Sequence, residues 1–307
     1  MKAGKVLAIC CRPENHDDFV AIGKRIIRKA PEIAVVIKPI TYHPNELDPA
    51  LQHFPLLNLY LVNPPKVLPA RGKTLHVKRI DKFEQYQRYV LANISTPKTI
   101  EYEIGQEIDI NEWGEYIFLK SRNSSTSENS FLIQTKDIFN IEPYFKKLEL
   151  KDKMILQKFI YTGEYANHYR VLSFLGEPLI CAKINNPHPI KLPSSVENSF
   201  SNNTVQTSRK DLILPRTLEF NKEILDFSRK VYNVFQDQPL QGIDIIVEEN
   251  TNKLFVLEGN QGGNIWSFSR KKSPLRDFFG RKALLAQFNA FDVACDILIK
   301  KTHELAA

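Results

Sequence analysis

Residues 1–92 alternate between short apolar runs and a segment with helical spacing. Lys5–Cys10 is an apolar run that predicts a strand, and Asp17–Lys29 places Phe19, Ile22 and Ile26 on one helical face with a basic far face. Glu32–Ile37 and Leu56–Val62 are two more apolar runs, each closed by a proline-containing loop. This is a βαβ-type pattern and predicts a small, mostly parallel sheet. Ligands of such sheets sit beyond the carboxyl ends of the strands, which directs attention to Cys10–His16. Asp81 is placed to cap a helix running to about Leu91, with Phe83, Tyr86, Tyr89 and Val90 on its apolar face. Pro97 then returns the chain to extended structure.

Farther along, Glu115–Lys120 predicts a strand ending in lysine, and Phe131–Gln134 predicts another after the polar stretch SRNSSTSENS. Met154–Glu164 is an apolar strand running into a polar turn. Tyr169–Phe174 and Leu179–Ile184 predict a hairpin around Gly176-Glu177-Pro178. That hairpin brings two cations, Arg170 and Lys183, to the same end, and an arginine inside an apolar strand wants an anion. Asn185–Leu212 is rich in Pro, Ser, Asn and Thr and lacks periodicity, so a long functional loop is expected there. Leu218–Phe235 predicts an amphipathic helix whose core face holds Phe220, Ile224, Phe227, Val231 and Phe235. Leu275–Leu305 reads as helix.

The stretch Gly242–Trp266 is the most informative. Ile243–Val247 and Leu254–Leu257 flank a polar tip at Asn250-Thr251-Asn252, a hairpin signal. A three-residue loop sets Glu249 opposite Lys253, Asp244 opposite Glu258 and Gly242 opposite Asn260. Asp244, Glu258 and Asn260 then share a face, with glycine leaving room beside them. The same count puts Ile243, Ile245, Val247, Phe255 and Leu257 on the opposite face and leaves Ile246, Leu254 and Val256 with the acids. Adjacent carboxylates among apolar neighbours repel unless a cation pairs with them, and Mg²⁺ suits such oxygen ligands. The same residues also fit a sheet end where both acids meet water.

The chain has 307 residues, 43% of them hydrophobic, enough for a sizeable core divided into two or three subdomains. No apolar run approaches the length of a membrane span, and the start does not have the form of a secretory signal. Cys10, Cys11, Cys181 and Cys295 show no metal or disulfide spacing, so a cytoplasmic location is expected. The net charge of +7 favours anionic partners. Nucleic acid and ATP with an anionic substrate satisfy it equally by composition, although the basic residues form no block.

An aspartate on one strand followed by E-x-N on the next, here Asp244, Glu258 and Asn260, resembles the Mg²⁺-binding end of the ATP-grasp superfamily. The upstream residues match in order over roughly residues 75–295: Asp81-Lys82 before a helix, then Pro97-Lys98-Thr99, Lys120 at the end of a strand, and the Met154–Glu164 segment. The resemblance implies an α/β (α+β) ATP-grasp fold. Its parts would be a pre-ATP-grasp domain at 1–95, a lid at 96–160 and a core with the metal site at 161–307. It implies that Lys82 and Lys120 face phosphates, and that Gln157, Lys158, Phe159 and Ile160 form the hinge along the adenine edge. Glu164 would hold the ribose hydroxyls, while Arg170 and, less closely matched, Lys183 would serve the reacting phosphoryl group. Two departures stand out: the loop after Lys120 has no glycine, and Ser201 occupies the usual arginine position of a motif ending near Asn203.

The activity implied is an ATP- and Mg²⁺-dependent carboxylate–amine (or thiol) ligase working through an acyl-phosphate. Its substrates would be a small-molecule or peptide carboxylate and an amine, with no nucleic-acid or membrane partner and with a homodimer compatible. An ATP-grasp kinase and a non-catalytic ATP-binding scaffold are the competing readings.

Overall fold

The computed structural model describes residues 4–38, 47–122, 130–147, 153–201, 214–261, 265–270 and 272–307, although the Lys147 and Ser201 side chains lie outside the description. Three sheets organise them. The first is parallel throughout, in the order β2 (Ile33–Lys38), β1 (Lys5–Cys10), β3 (Leu56–Tyr60) and β4 (Lys73–His76). Strands β1, β2 and β3 read as largely apolar runs because both faces are covered. One face packs Leu7 and Ile9 against α1 (His16–Lys29) through Phe19, Ile22 and Ile26, and against the C-terminal helix α8 (Ala290–Leu305) through Ala294 and Leu298. The fourth strand has no apolar run to announce it; Leu75 is its one buried residue.

Helix α2 (Lys82–Leu91) begins as expected, with the Asp81 carboxylate accepting from the N–H groups of Phe83 and Glu84. Its buried positions are Gln85 and Tyr89, whereas Val90, expected in the core, is 48% exposed. The helix is turned by a polar contact rather than by its apolar stripe: Gln85 accepts from the Gly259 N–H (2.7 Å) and donates to the Ile80 carbonyl (2.9 Å).

The second sheet is antiparallel, in the order β5 (Thr99–Tyr102), β8 (Met154–Lys158), β6 (Tyr116–Ser121) and β7 (Ser130–Gln134). Ile117, Leu119, Ile133 and Leu156 face a core with Trp113 and with Phe145 of α3 (Glu142–Lys147). The alternate residues Tyr116, Phe118 and Lys120 look the other way. The stretch 185–212, expected as one loop, is partly regular. Strand β10 (Glu177–Pro189) runs into it, and α4 (Val196–Ser201) crosses to this sheet, where Phe200 packs on Phe131 and Tyr144. Asn203 lies outside the described residues.

The third sheet runs β11 (Arg216–Leu218), β10 (Glu177–Pro189), β9 (Tyr165–Phe174), β12 (Leu240–Val247) and β13 (Leu254–Gln261), all antiparallel. One face carries Val171, Cys181, Ile243, Ile245 and Val256 against Ile224 and Val231 of α5 (Lys222–Asn233) and Tyr89 of α2. The other carries Leu172, Phe174 and Ala182 against Phe19, Trp266 and Phe268, and so packs on the first sheet's helices. Beyond that contact the same face carries Arg170 and Asp244 and looks toward Lys82 and Lys120, which are within electrostatic reach of Glu258 across the cleft between them.

Two helical expectations are corrected. Leu218 belongs to β11, Asn221 caps α5, and Phe220 is 63% exposed, packing edge-on against Phe288 instead of entering the core. The C-terminal segment is three helices, α6 (Pro274–Phe279), α7 (Arg281–Gln287) and α8, broken at Gly280 (φ +77°) and Asn289 (φ +51°). Among the described residues no helix is long and apolar enough to cross a membrane.

Candidate functional site

The hairpin β12–β13 pairs Asp244 with Glu258 and Gly242 with Asn260, as the alternation predicts. Its tip does not follow the prediction: Val247 pairs with Leu254, and the Glu248 N–H donates to the Lys253 carbonyl, one residue off the expected register. A bulge at Leu257 absorbs the difference, because Ile245 pairs with Val256 while Asp244 pairs with Glu258. The bulge also exchanges faces. Phe255 and Leu257 cluster with Ile246 and Ile160 on the side of the acids, and Val256 turns into the core with Ile243 and Ile245. One cleft wall thus has a polar end and an apolar end.

At the polar end the Asn260 amide nitrogen reaches both Asp244 Oδ2 and Glu258 Oε1, each at 3.2 Å. Arg170, paired with Asp244 across the sheet, donates from Nη2 to Asp244 Oδ2 (2.8 Å), and its Nε contacts the other oxygen. A Cβ on Gly242 would sit 3.2 Å from Ile265 Cγ2, a tight contact, and 3.6 Å from Arg170 Nη1, an ordinary one, so glycine leaves room chiefly for Ile265. Burial pushes the Asp244 carboxyl up to about 7; Arg170 opposes the rise and Glu258 adds to it. His168 Nε2 lies 3.8 Å from Asp244 Oδ1, and burial, with Arg170 and Arg216 nearby, holds the imidazole neutral, down at about 3.

Two lysines face these acids from other elements. Arg122 grips Asp81 with two hydrogen bonds (2.9 and 3.0 Å), tying the start of α2 to the end of β6 and setting Lys82 and Lys120 side by side. That bond to Arg122 holds the Asp81 carboxyl below the usual range. Lys82 Nζ donates to the Ser121 carbonyl (3.4 Å). Lys120 Nζ donates to Gln157 Oε1 (2.7 Å), and the Gln157 amide donates to Thr99 Oγ1 (3.1 Å). Burial lowers both lysines; Lys120, also repelled by Lys82, falls to about 8, while Glu258 pulls each upward.

Of the expected hinge residues, Gln157 and Lys158 still belong to the β8 ladder, and the Lys158 N–H is taken by the Lys98 carbonyl (2.8 Å). Phe159 and Ile160 lie beyond it; Phe159 meets Tyr116 and Phe118 edge-on. Glu164 is exposed, and its carbonyl accepts from Ile190. Lys183 is brought near Arg170 along the strand but not onto its face. Ala182 pairs with Arg170, so Lys183 projects from the other side and lies over the Tyr169 ring, 5.6 Å from its centroid. The sequence reading missed His168, Arg122 and Arg216. Arg216 pairs with Ile184, which pairs with His168, and so it shares the face of the acids.

No protein-family model and no curated protein matches the chain. Among solved structures, it is similar to the ATP-grasp ligase PsnB complexed with minimal precursor, Mg and ADP (TM-score 0.54, 12% identity, 97% of this chain and 98% of that one). A Chryseobacterium gregarium RiPP-associated ATP-grasp ligase in complex with ADP and a leader and core peptide has a TM-score of 0.53 at 11% identity, covering 97% of each chain. The D-cycloserine synthetase DcsG has a TM-score of 0.51 at 9% identity over 95% of this chain and 99% of that one. The chain has the ATP-grasp fold.

Within the ATP-grasp fold, the chemistry of the donor set decides whether Mg²⁺ suits these residues. Among the described residues no three His, Cys, Asp or Glu side chains converge into a closed metal cage. Two carboxylates and one amide do converge, and burial, with Glu258 adding to it, raises Asp244. Such a set fits Mg²⁺, which takes one or two carboxylates and fills the rest of its shell with water and phosphate oxygens. Rotating the Asn260 amide end for end would offer its oxygen in place of its nitrogen.

Proposed function

We propose that the protein is an ATP-dependent carboxylate–amine ligase that forms an amide or peptide bond and releases ADP and phosphate. The observation that carries this reading is the two-ended cleft wall: Ile160, Ile246, Phe255 and Leu257 at one end, Asp244, Glu258 and Asn260 at the other. An adenine ring suits the apolar end, beside Phe159 and Ile160. A triphosphate suits the polar end, where Lys82, Lys120 and Arg170 provide cations. Glu164, exposed past the hinge, is available to ribose hydroxyls. Asp244, Glu258 and Asn260 would hold Mg²⁺, which neutralises charge on phosphate oxygens when bound.

In this mechanism a substrate carboxylate oxygen attacks the γ-phosphorus, the β–γ bridging bond breaks and ADP leaves. An amine then attacks the carbonyl carbon of the mixed anhydride, the C–O bond to phosphate breaks, and the amine proton passes to solvent or phosphate. The protein acts by position and charge. Gln157 orients the Lys120 ammonium, and Arg122 with Asp81 fixes Lys82 beside it. Asp244 anchors Arg170 where the transferred group would lie. Lys183, on the opposite face, takes no part. Residues 1–95, 96–160 and 161–307 would then act as pre-ATP-grasp, lid and core units. Both small-molecule and peptide carboxylates are compatible with this reading.

Turnover of ATP with Mg²⁺ across amino acids and acidic peptides tests it. The reading expects ADP and free phosphate in equal amounts, dependent on a carboxylate and an amine. ADP with phosphate retained on the substrate would replace the ligase by a kinase, and binding without turnover by a scaffold.

A further inference from the structure

The cleft face of the third sheet continues past Arg170 to β11, and its last charged residue is Arg216. Pairing fixes the place: Arg216 stands opposite Ile184, Ile184 opposite His168, and His168 two residues before Arg170 on β9. Arg216 and His168 therefore project to the same side as Arg170 and Asp244. Arg170 has its carboxylate in Asp244. Arg216 has none among the described residues. Its Nη1 donates to the Leu214 carbonyl (2.9 Å), and its guanidinium lies over the Phe278 ring, 5.4 Å from the centroid.

Those contacts leave one edge of the guanidinium without acceptors. Arg216 Nε is buried with no hydrogen-bond partner among the described residues, and Nη2 has none there either. Beside it, the His168 side chain is only 8% exposed and its Nδ1 is likewise unpartnered. An N–H donor kept from water with nothing to accept it is costly, and the Nε–Nη2 edge of arginine matches the spacing of two carboxylate oxygens. Phe278 and Leu214 hold the plane in place, so little side-chain freedom remains to be lost on binding.

We propose that Arg216 binds the carboxylate of a substrate through its Nε–Nη2 edge, forming a subsite on the β11 side of Arg170. This deepens the ligase reading by assigning the substrate-recognition cation, and in its catalytic consequence it rests on that reading. Binding of an anion at Arg216 does not depend on turnover and is tested separately.

The direct test is nuclear magnetic resonance of the full chain labelled with ¹⁵N-arginine, with Arg216→Lys identifying the Arg216 Nε–H signal. Titration with sodium glutarate is expected to shift that signal saturably, while sodium chloride at the same ionic strength leaves it in place. No saturable shift, or an equal shift with chloride, overturns the proposal whatever the enzyme does. A glutarate-specific shift without ATP turnover on any carboxylate keeps the subsite and removes the ligase reading. Where turnover is found, Arg216→Met should raise the half-saturating carboxylate concentration by about tenfold or more while leaving that for ATP unchanged. Arg216→Lys should recover part of the loss. A change confined to the ATP constant would contradict a carboxylate site. Turnover with free amino acids assigns the site to a small molecule, and turnover only with acidic peptides assigns it to a side-chain or terminal carboxylate.

Discussion

At the β12–β13 end of the cleft, every charge has an opposite charge within reach: Asp244 with Arg170, and Glu258 with the nearby Lys82 and Lys120. At the β11 end, Arg216 stands among described residues with no acid to balance it. The two ends ask for different ligands. A compensated cluster accepts a ligand that brings both signs, as a divalent cation with phosphates does, because insertion separates the pairs without stranding a charge. A lone cation accepts an anion alone.

The largest effect expected from disturbing the compensated end is that of Glu258→Gln. It removes one carboxylate while keeping shape, and should lower ATP turnover by about a hundredfold or more with the fold unchanged by circular dichroism. Next comes Arg170→Met, which strands a buried carboxylate. Breaking such a pair costs about 3 kcal/mol here, at the lower end of the usual range because Arg170 keeps part of its surface in water. A denaturant titration reads that loss, and turnover should fall with it. Gly259→Ala acts at a distance: its Cβ would lie 2.9 Å from Tyr89 Oη, where β13 and α2 touch. Overpacking there should cost about 1–3 kcal/mol in thermal unfolding and weaken ATP binding by displacing Lys82. The smallest effect belongs to Lys183→Ala, with activity changed less than about twofold and stability within about 0.5 kcal/mol. A loss from Lys183→Ala equal to that from Arg170→Met would remove the distinction between the two faces.

The same contrast explains what could be read in the sequence. Asp244, Glu258 and Asn260 were legible because strand alternation brings them together over a short distance. The match was reached through two departures that cancel: the tip shifts the register by one residue and the Leu257 bulge shifts it back. A bulge leaves no mark in apolar–polar alternation, so alternation alone puts Phe255 and Val256 on each other's faces. Lys183 comes to the same end of its hairpin as Arg170, as expected, but nearness along a strand does not decide the face, and the pairing turns it to the other side. Arg216 carried a weaker signal, a single cation in the apolar run Ile213–Leu218, and its meaning depends on pairing with β10 that no local pattern encodes. Gln85 replaced Val90 as the anchor of α2 because one hydrogen bond to Gly259 outweighed an apolar stripe. The parallel first sheet is legible in outline, because its apolar runs are long where both faces are covered, whereas β4, with one buried residue, has no such run.

The central claim is that the polar end of the β12–β13 wall receives Mg²⁺ together with a triphosphate. Calorimetric titration of the full chain with a non-hydrolysable ATP analogue, with and without Mg²⁺, tests it most directly when wild type and Glu258→Gln are compared. The account predicts that Mg²⁺ tightens binding to the wild type by about tenfold or more and does much less for the variant. Equal affinity with and without Mg²⁺ in both proteins, or no binding at all, would contradict it.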